Sequence, residues 1–116
     1  MHRVVFEITT EKVEAWHGVF NNIVNLRLAL PAPWELEVVA HGKAIRALKE
    51  GGLGEEGQRG QALRREGVVI GACENSMKRE GFSPADLYSF ATPVDSGVAE
   101  LVRKQEAGWS YIRSGG

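Results

Sequence analysis

Gly67-Val68-Val69-Ile70-Gly71-Ala72-Cys73-Glu74-Asn75-Ser76-Met77 is a short apolar run, rich in β-branched residues, that passes directly into residues able to start a helix. The run suits a parallel strand covered on both faces. Gly71 and Ala72 clear space before Cys73, which is the sole cysteine of the chain. A thiol at such a strand-to-helix junction lies near free backbone N–H groups, which favour the thiolate. The same residue type also serves as a small buried hydrophobe, so at this point both roles stand open.

Upstream of this junction, Arg3-Val4-Val5-Phe6-Glu7-Ile8 reads as a first strand, with Thr9 and Thr10 as turn and N-cap candidates. Val13, Trp16, Phe20, Ile23, Leu26 and Leu30 recur at helical spacing from Glu11 to about Leu30, and Pro31 and Pro33 stop that helix. Leu36 to Gly42 reads as a second strand ending in His-Gly, followed by a helix over Lys43–Glu50. Gly51 to Gly60 carries five glycines and is expected to be a loop or a broken helix, with a short helical piece from Gln61 to Glu66.

Downstream, Glu74 to Glu80 forms a short helix that Gly81 ends. Ser83-Pro84-Ala85-Asp86 is a capping box with proline at the first helical position. Tyr88–Val94 is a fourth strand. Ser96 caps a helix with Val98, Ala99, Leu101 and Val102 as its apolar face, and Trp109–Arg113 is a fifth strand after Gly108. Strands alternating with helices imply right-handed crossovers and a parallel sheet with helices on both faces. One domain over residues 1–113 and a flexible tail at 114–116 are expected.

Composition excludes several classes. Apolar residues at 43% and charged residues at 25% fit a folded globular chain. A net charge of −1 leaves no basic footprint for nucleic acid. One cysteine cannot close an internal disulfide, and no Cys/His spacing suits a metal. The glycine-rich segment follows no strand and closes on no Lys-Ser/Thr pair, so no phosphate-binding or dinucleotide fingerprint is present and no cofactor is expected. There is no signal-peptide pattern and no apolar run near the ~20 residues of a membrane helix. The expectation is a soluble, cytoplasmic protein without membrane or nucleic-acid partners.

Ligands of such sheets bind beyond the carboxyl ends of the strands. Thr9 and Thr10, His41 and Gly42, and Cys73 to Ser76 fall on that edge. His41 is a candidate proton carrier or cationic partner of the thiolate. Asn75 and Ser76 are candidate donors to a bound group, and Asn22 and Asn25 on the first helix could hydrogen-bond a ligand. Glu7 lies inside a strand read as buried, where an unpaired carboxylate is costly. A carboxylate near Cys73 would oppose the thiolate, so its partner decides its effect.

Four stretches together resemble the DsrE/DsrF-like family of sulfur-relay proteins, with the YchN-like fold. They are Asn21-Asn22-Ile23-Val24-Asn25-Leu26 after the first strand, Val38-Val39-Ala40-His41-Gly42, Gly71-Ala72-Cys73-Glu74-Asn75-Ser76-Met77 with Lys78-Arg79-Glu80-Gly81, and Val94 to Leu101 leading into Gly108-Trp109-Ser110-Tyr111-Ile112. The resemblance implies an α/β fold: a three-layer α/β/α sandwich with a five-stranded, mainly parallel sheet. It also implies homo-oligomers, commonly trimers or hexamers. A cysteine at the position of Cys73 accepts sulfur as a persulfide in the better-understood branch, and some members carry a further cysteine near the C-terminus, which this chain lacks.

Two functions follow as expectations. In the first, Cys73 is a persulfide carrier, with His41 assisting, that exchanges sulfur with protein donors and acceptors. In the second, the chain is a non-catalytic homo-oligomeric module binding a small anionic or nucleotide-like ligand at the same strand-end pocket. Exposed-looking Trp34, Trp109 and Tyr111 point to self-association in either case.

Overall fold

The computed structural model describes residues 1–115. Five strands, β1 (His2–Ile8), β2 (Trp34–Ala40), β3 (Val69–Cys73), β4 (Ala91–Val94) and β5 (Ser110–Ser114), form one sheet in the order β4-β3-β2-β1-β5. All four pairings are parallel. The helices are α1 (Val13–Ala29), α2 (Ile45–Leu48), α3 (Glu56–Arg65), α4 (Glu74–Glu80) and α5 (Gly97–Glu106). The expected α/β class and five-stranded parallel sheet are therefore observed. Ser114, expected in a tail, completes β5 and is buried; Gly116 lies outside the described residues.

The strand order explains the layers. From β1 to β4 the chain steps one way across the sheet, and right-handed crossovers keep the intervening helices on one face. The step from β4 back to β5 runs the other way, so α5 lies on the opposite face. Side-chain alternation records the split. Val4, Phe6, Ile8, Val38, Ala40, Ile70 and Ala72 join Trp16, Phe20 and Ile23 of α1 and Ile45 and Leu48 of α2 in the main core. Val5 and Val39, from the other face, pack only with Leu101 and the half-buried Trp109.

Local signals fixed several helix ends. Gly81, at φ 82°, ends α4 in the left-handed region. The Ser96 hydroxyl accepts the Ala99 N–H at 3.1 Å and caps α5. The Ser83–Asp86 capping box is present, but it opens only a single 3-10 turn, Pro84–Asp86. Thr10 is not the N-cap of α1. That position is Lys12, whose N–H donates to the Thr10 hydroxyl at 3.2 Å.

The Gly51–Gly60 reading needs correction, because α3 begins at Glu56. Its glycines are contact points. A Cβ on Gly60 would sit 2.7 Å from the Phe90 ring, and one on Gly57 would sit 3.1 Å from the Tyr88 hydroxyl. The Tyr88 and Phe90 rings stack at 4.7 Å and press against the helix where it has no side chains. That contact offsets the helix-propensity cost of glycine, about 1 kcal/mol at each position.

On the α5 face, Glu37 is 2% exposed and its Oε2 meets no donor among the described residues. Gly71 makes room for that carboxylate, since a Cβ there would lie 3.2 Å from Oε2. Lys104 Nζ is 3.4 Å from Oε1. Burial, followed by the hydrogen bond and charge of Glu100, pushes the Glu37 carboxyl up to about 8 against the pull of Lys104. Glu100 is held below the usual glutamate range, first by its bond to Glu37. At neutral pH the Glu37 carboxyl therefore keeps its proton, which removes the charge that burial beside Glu100 would penalise.

Between pH 4.5 and about 8 the folded state keeps a proton that the unfolded Glu37 has released, so stability falls as pH rises through this window. Depression of Glu100 acts in a separate range, at and below its ordinary pKa. Urea denaturation from pH 5 to 9 is expected to show the decline for the native protein and a flatter profile for Glu37→Gln. Parallel profiles would show that Glu37 titrates normally.

Candidate active site at the β3–α4 junction

Cys73 is the last residue of β3 and the N-cap of α4. At the carboxyl ends of β3 and β4 the chain leaves in opposite directions, into α4 on one face and α5 on the other. A crevice opens where the two diverge, as at the switch points of other open sheets. A cavity of about 190 Å³ lies there, lined by Cys73, Asn75, Ser76 and Arg79 on the α4 side. Ser96, Gly97 and Val98 line it from α5, and His41 and Gly42 from the end of β2. Larger hollows beside Tyr88 and between α1 and α3 contain no thiol.

The thiol is surrounded by donors. The Ser76 N–H lies 3.4 Å from Sγ. The Ser76 hydroxyl accepts the Gly42 N–H at 2.8 Å, which leaves its own proton free to point at sulfur. Burial alone would raise the Cys73 pKa. The Ser76 hydroxyl and the N–H groups of Gly97, Ser76 and Asn75 outweigh that and hold it below the ordinary cysteine value. Gly97 makes this possible by having no side chain. A Cβ there would come 2.8 Å from His41 Cβ and 3.3 Å from Cys73 Cβ. The start of α5 therefore closes directly onto both residues.

His41 and Cys73 are neighbours across the sheet. They stand one residue beyond the paired Ala40 and Ala72, and His41 keeps an extended backbone and bonds Ile8 O through its N–H at 3.2 Å. Its Nε2 lies 2.5 Å from Glu7 Oε2. Glu7 also accepts the Tyr111 hydroxyl and lies 3.4 Å from Arg113 Nη1. Burial would raise the Glu7 carboxyl, but the Tyr111 and His41 bonds and the His41 and Arg113 charges hold it below the usual glutamate range. The partner that the buried carboxylate required is thus His41, backed by β5.

A family model described as the DsrE/DsrF-like family matches residues 12–113. The chain belongs to the DsrE/DsrF-like family. The match takes in both sides of the crevice, with Cys73 at its centre. Over 97% of its length the chain superposes, with a TM-score of 0.90 and 32% identity, on 99% of MTH1491, a protein of unknown function from Methanobacterium thermoautotrophicum. It superposes equally far on the ychN protein of E. coli with a TM-score of 0.79 and 15% identity, a likeness of fold. No curated protein sequence matches it.

Within this DsrE/DsrF-like fold, His41, Gly42, Cys73, Asn75 and Ser76 come together as the sequence reading placed them. Thr9 and Thr10 do not line the cavity. The Thr9 hydroxyl takes a bond from Arg113 Nη2 at 3.3 Å, and Thr10 serves the start of α1. Asn22 is exposed on α1, away from the cavity. Gly97, Tyr111 and Arg113 were missed as parts of this neighbourhood, whereas Arg79, a cation read as able to collect an anion near the site, does line the cavity. The Ser96-Gly97 step after a strand was a usable signal for Gly97.

Removing the Ser76 hydroxyl should cost one hydrogen bond to a charged sulfur, about 1.5 kcal/mol. Ser76→Ala is therefore expected to raise the pH midpoint of Cys73 alkylation by roughly 1 unit, starting from a native midpoint under about 8.5. A native midpoint at or above that value would contradict the donor arrangement.

Proposed function

We propose that this protein is a sulfur carrier in which Cys73 accepts sulfane sulfur as a persulfide and hands it to a partner protein. The observation that carries the reading is the sole cysteine of a DsrE/DsrF-like chain, placed in a crevice whose donors favour its thiolate. The Cys73 thiolate attacks the outer sulfur of a donor persulfide. A new sulfur–sulfur bond forms as the donor's breaks, and its electron pair leaves with the donor thiolate. The proton released by Cys73 goes to that thiolate, so a thiol and a persulfide exchange one sulfur atom without net oxidation. The donors that hold the thiolate also suit the terminal sulfur of the product.

Size favours this over the second reading. A cavity of about 190 Å³ lies below the roughly 300–1,000 Å³ of ordinary small-molecule pockets. It suits the end of a sulfur chain better than a nucleotide. Val98, which lines the crevice, is 61% exposed, and Val102 one turn on is 48% exposed. These side chains support a homo-oligomer that covers α5.

Incubation with a low-molecular-weight persulfide, followed by intact mass measurement, is expected to add one sulfur atom that reductant removes. Cys73→Ser should take up none while keeping its fold. Sulfur uptake by Cys73→Ser, or none by the native protein, would refute the carrier. Light scattering at micromolar concentration is expected to give a multiple of the chain mass; a monomer would remove the oligomer from the proposal.

A further inference from the structure

The thiol and its donors leave without a role a carboxylate buried on β1, two strands from β3. Glu7 is 9% exposed in the middle of a parallel sheet, where a charge is costly unless it is paired. Its three partners come from two other strands: His41 after β2, and Tyr111 and Arg113 on β5. Glu7 pairs in register with Val39 on one side and Arg113 on the other, so its side chain points to the same face as His41. Cys73, His41, Glu7 and Tyr111 therefore make a row across four adjacent strands, just under the carboxyl edge of the sheet.

We propose that Glu7 is the positioning residue of the site, holding His41 by Nε2 so that Nδ1 is left as the ring's proton acceptor in the cavity that His41 and Cys73 both line. The assignment rests on the carrier reading for its chemistry, but its geometry stands independently. A carboxylate 2.5 Å from Nε2 takes the Nε2 proton as its hydrogen bond and selects that tautomer in the neutral ring. When Nδ1 takes up the proton that Cys73 releases in that cavity, the imidazolium balances both the thiolate and the Glu7 carboxylate. The same imidazolium can then return the proton to the departing donor thiolate. No atom beyond the persulfide donor is required.

The surrounding groups support this arrangement. On β5, Tyr111 and Arg113 both donate to Glu7 Oε1 and leave Oε2 to His41. From α4, Arg79 lines the cavity as a cation. α5 contributes the uncharged Ser96, Gly97 and Val98. Lys43 is exposed and has no bond to the ring among the described residues. Glu7 is thus the carboxylate that holds the ring.

The test reads the ring and the thiol, without sulfur loading, so its outcome is separate from that of the carrier reading. Nitrogen-15 NMR of the native protein is expected to show neutral His41 as the Nε2–H tautomer; the Nδ1–H tautomer would overturn the proposal whether or not any variant folds. In Glu7→Gln the ring loses its counter-charge, so the pH midpoint of Cys73 alkylation is expected to rise. A carboxylate acting directly on the thiol would produce the opposite shift, because its removal would lower the midpoint. A carboxylate that only anchors β5 would leave the midpoint unchanged while reducing thermal stability. Either of these results overturns the proposal.

Discussion

The reversal between β4 and β5 governs the molecule. Three successive crossovers lay helices on one face of the sheet, and the fourth, running back past β3, β2 and β1, places α5 alone on the other. Without that reversal the loops after β3 and β4 would leave on the same side, with no crevice above Cys73. Because one ten-residue helix cannot cover a five-stranded sheet, this face keeps polar groups that the other could not hold. Glu7 and Glu37 both lie on it, and both are deeply buried.

The two carboxylates meet their burial in different ways. Glu7 stays ionised because a ring, a phenol and a guanidinium converge on it. Glu37 has one lysine at 3.4 Å and a second carboxyl nearby, too little to hold two negative charges, so the pair keeps a proton. Glycine is needed beside each arrangement. Gly71 admits the Glu37 carboxylate, and Gly97 lets α5 descend onto His41 and Cys73. The polar face is therefore shaped by missing side chains as much as by those present.

Much of this could be read from residues close together in the chain. The strand-to-helix passage at Cys73, the stop at Pro31, the left-handed Gly81 and the Ser96 cap are local, and each appears where its signal lay. Gly57 and Gly60 were misread because their role is tertiary, as the floor on which Tyr88 and Phe90 rest. Val98 and Val102 follow a helical period, yet only Leu101 of that stripe is buried with the sheet; periodicity marks a stripe and not what covers it. The strand order is not encoded at any single site. Residues 7, 41 and 111 therefore could not be joined beforehand, although the cost of burying Glu7 already implied that a partner existed.

Pairing β1 with β5 brings together residues more than a hundred positions apart, as in the Glu7–Arg113 pair. Loop closure over such a distance is the most expensive contact in the sheet. The β1–β2 and β2–β3 pairings can form from shorter segments, and these already bring His41 beside Cys73. The carboxylate between them and β5 is left without its phenol and guanidinium until the far strand docks. Docking of the last described strand thus completes the electrostatic setting of the crevice, because β5 brings the phenol and the guanidinium to Glu7.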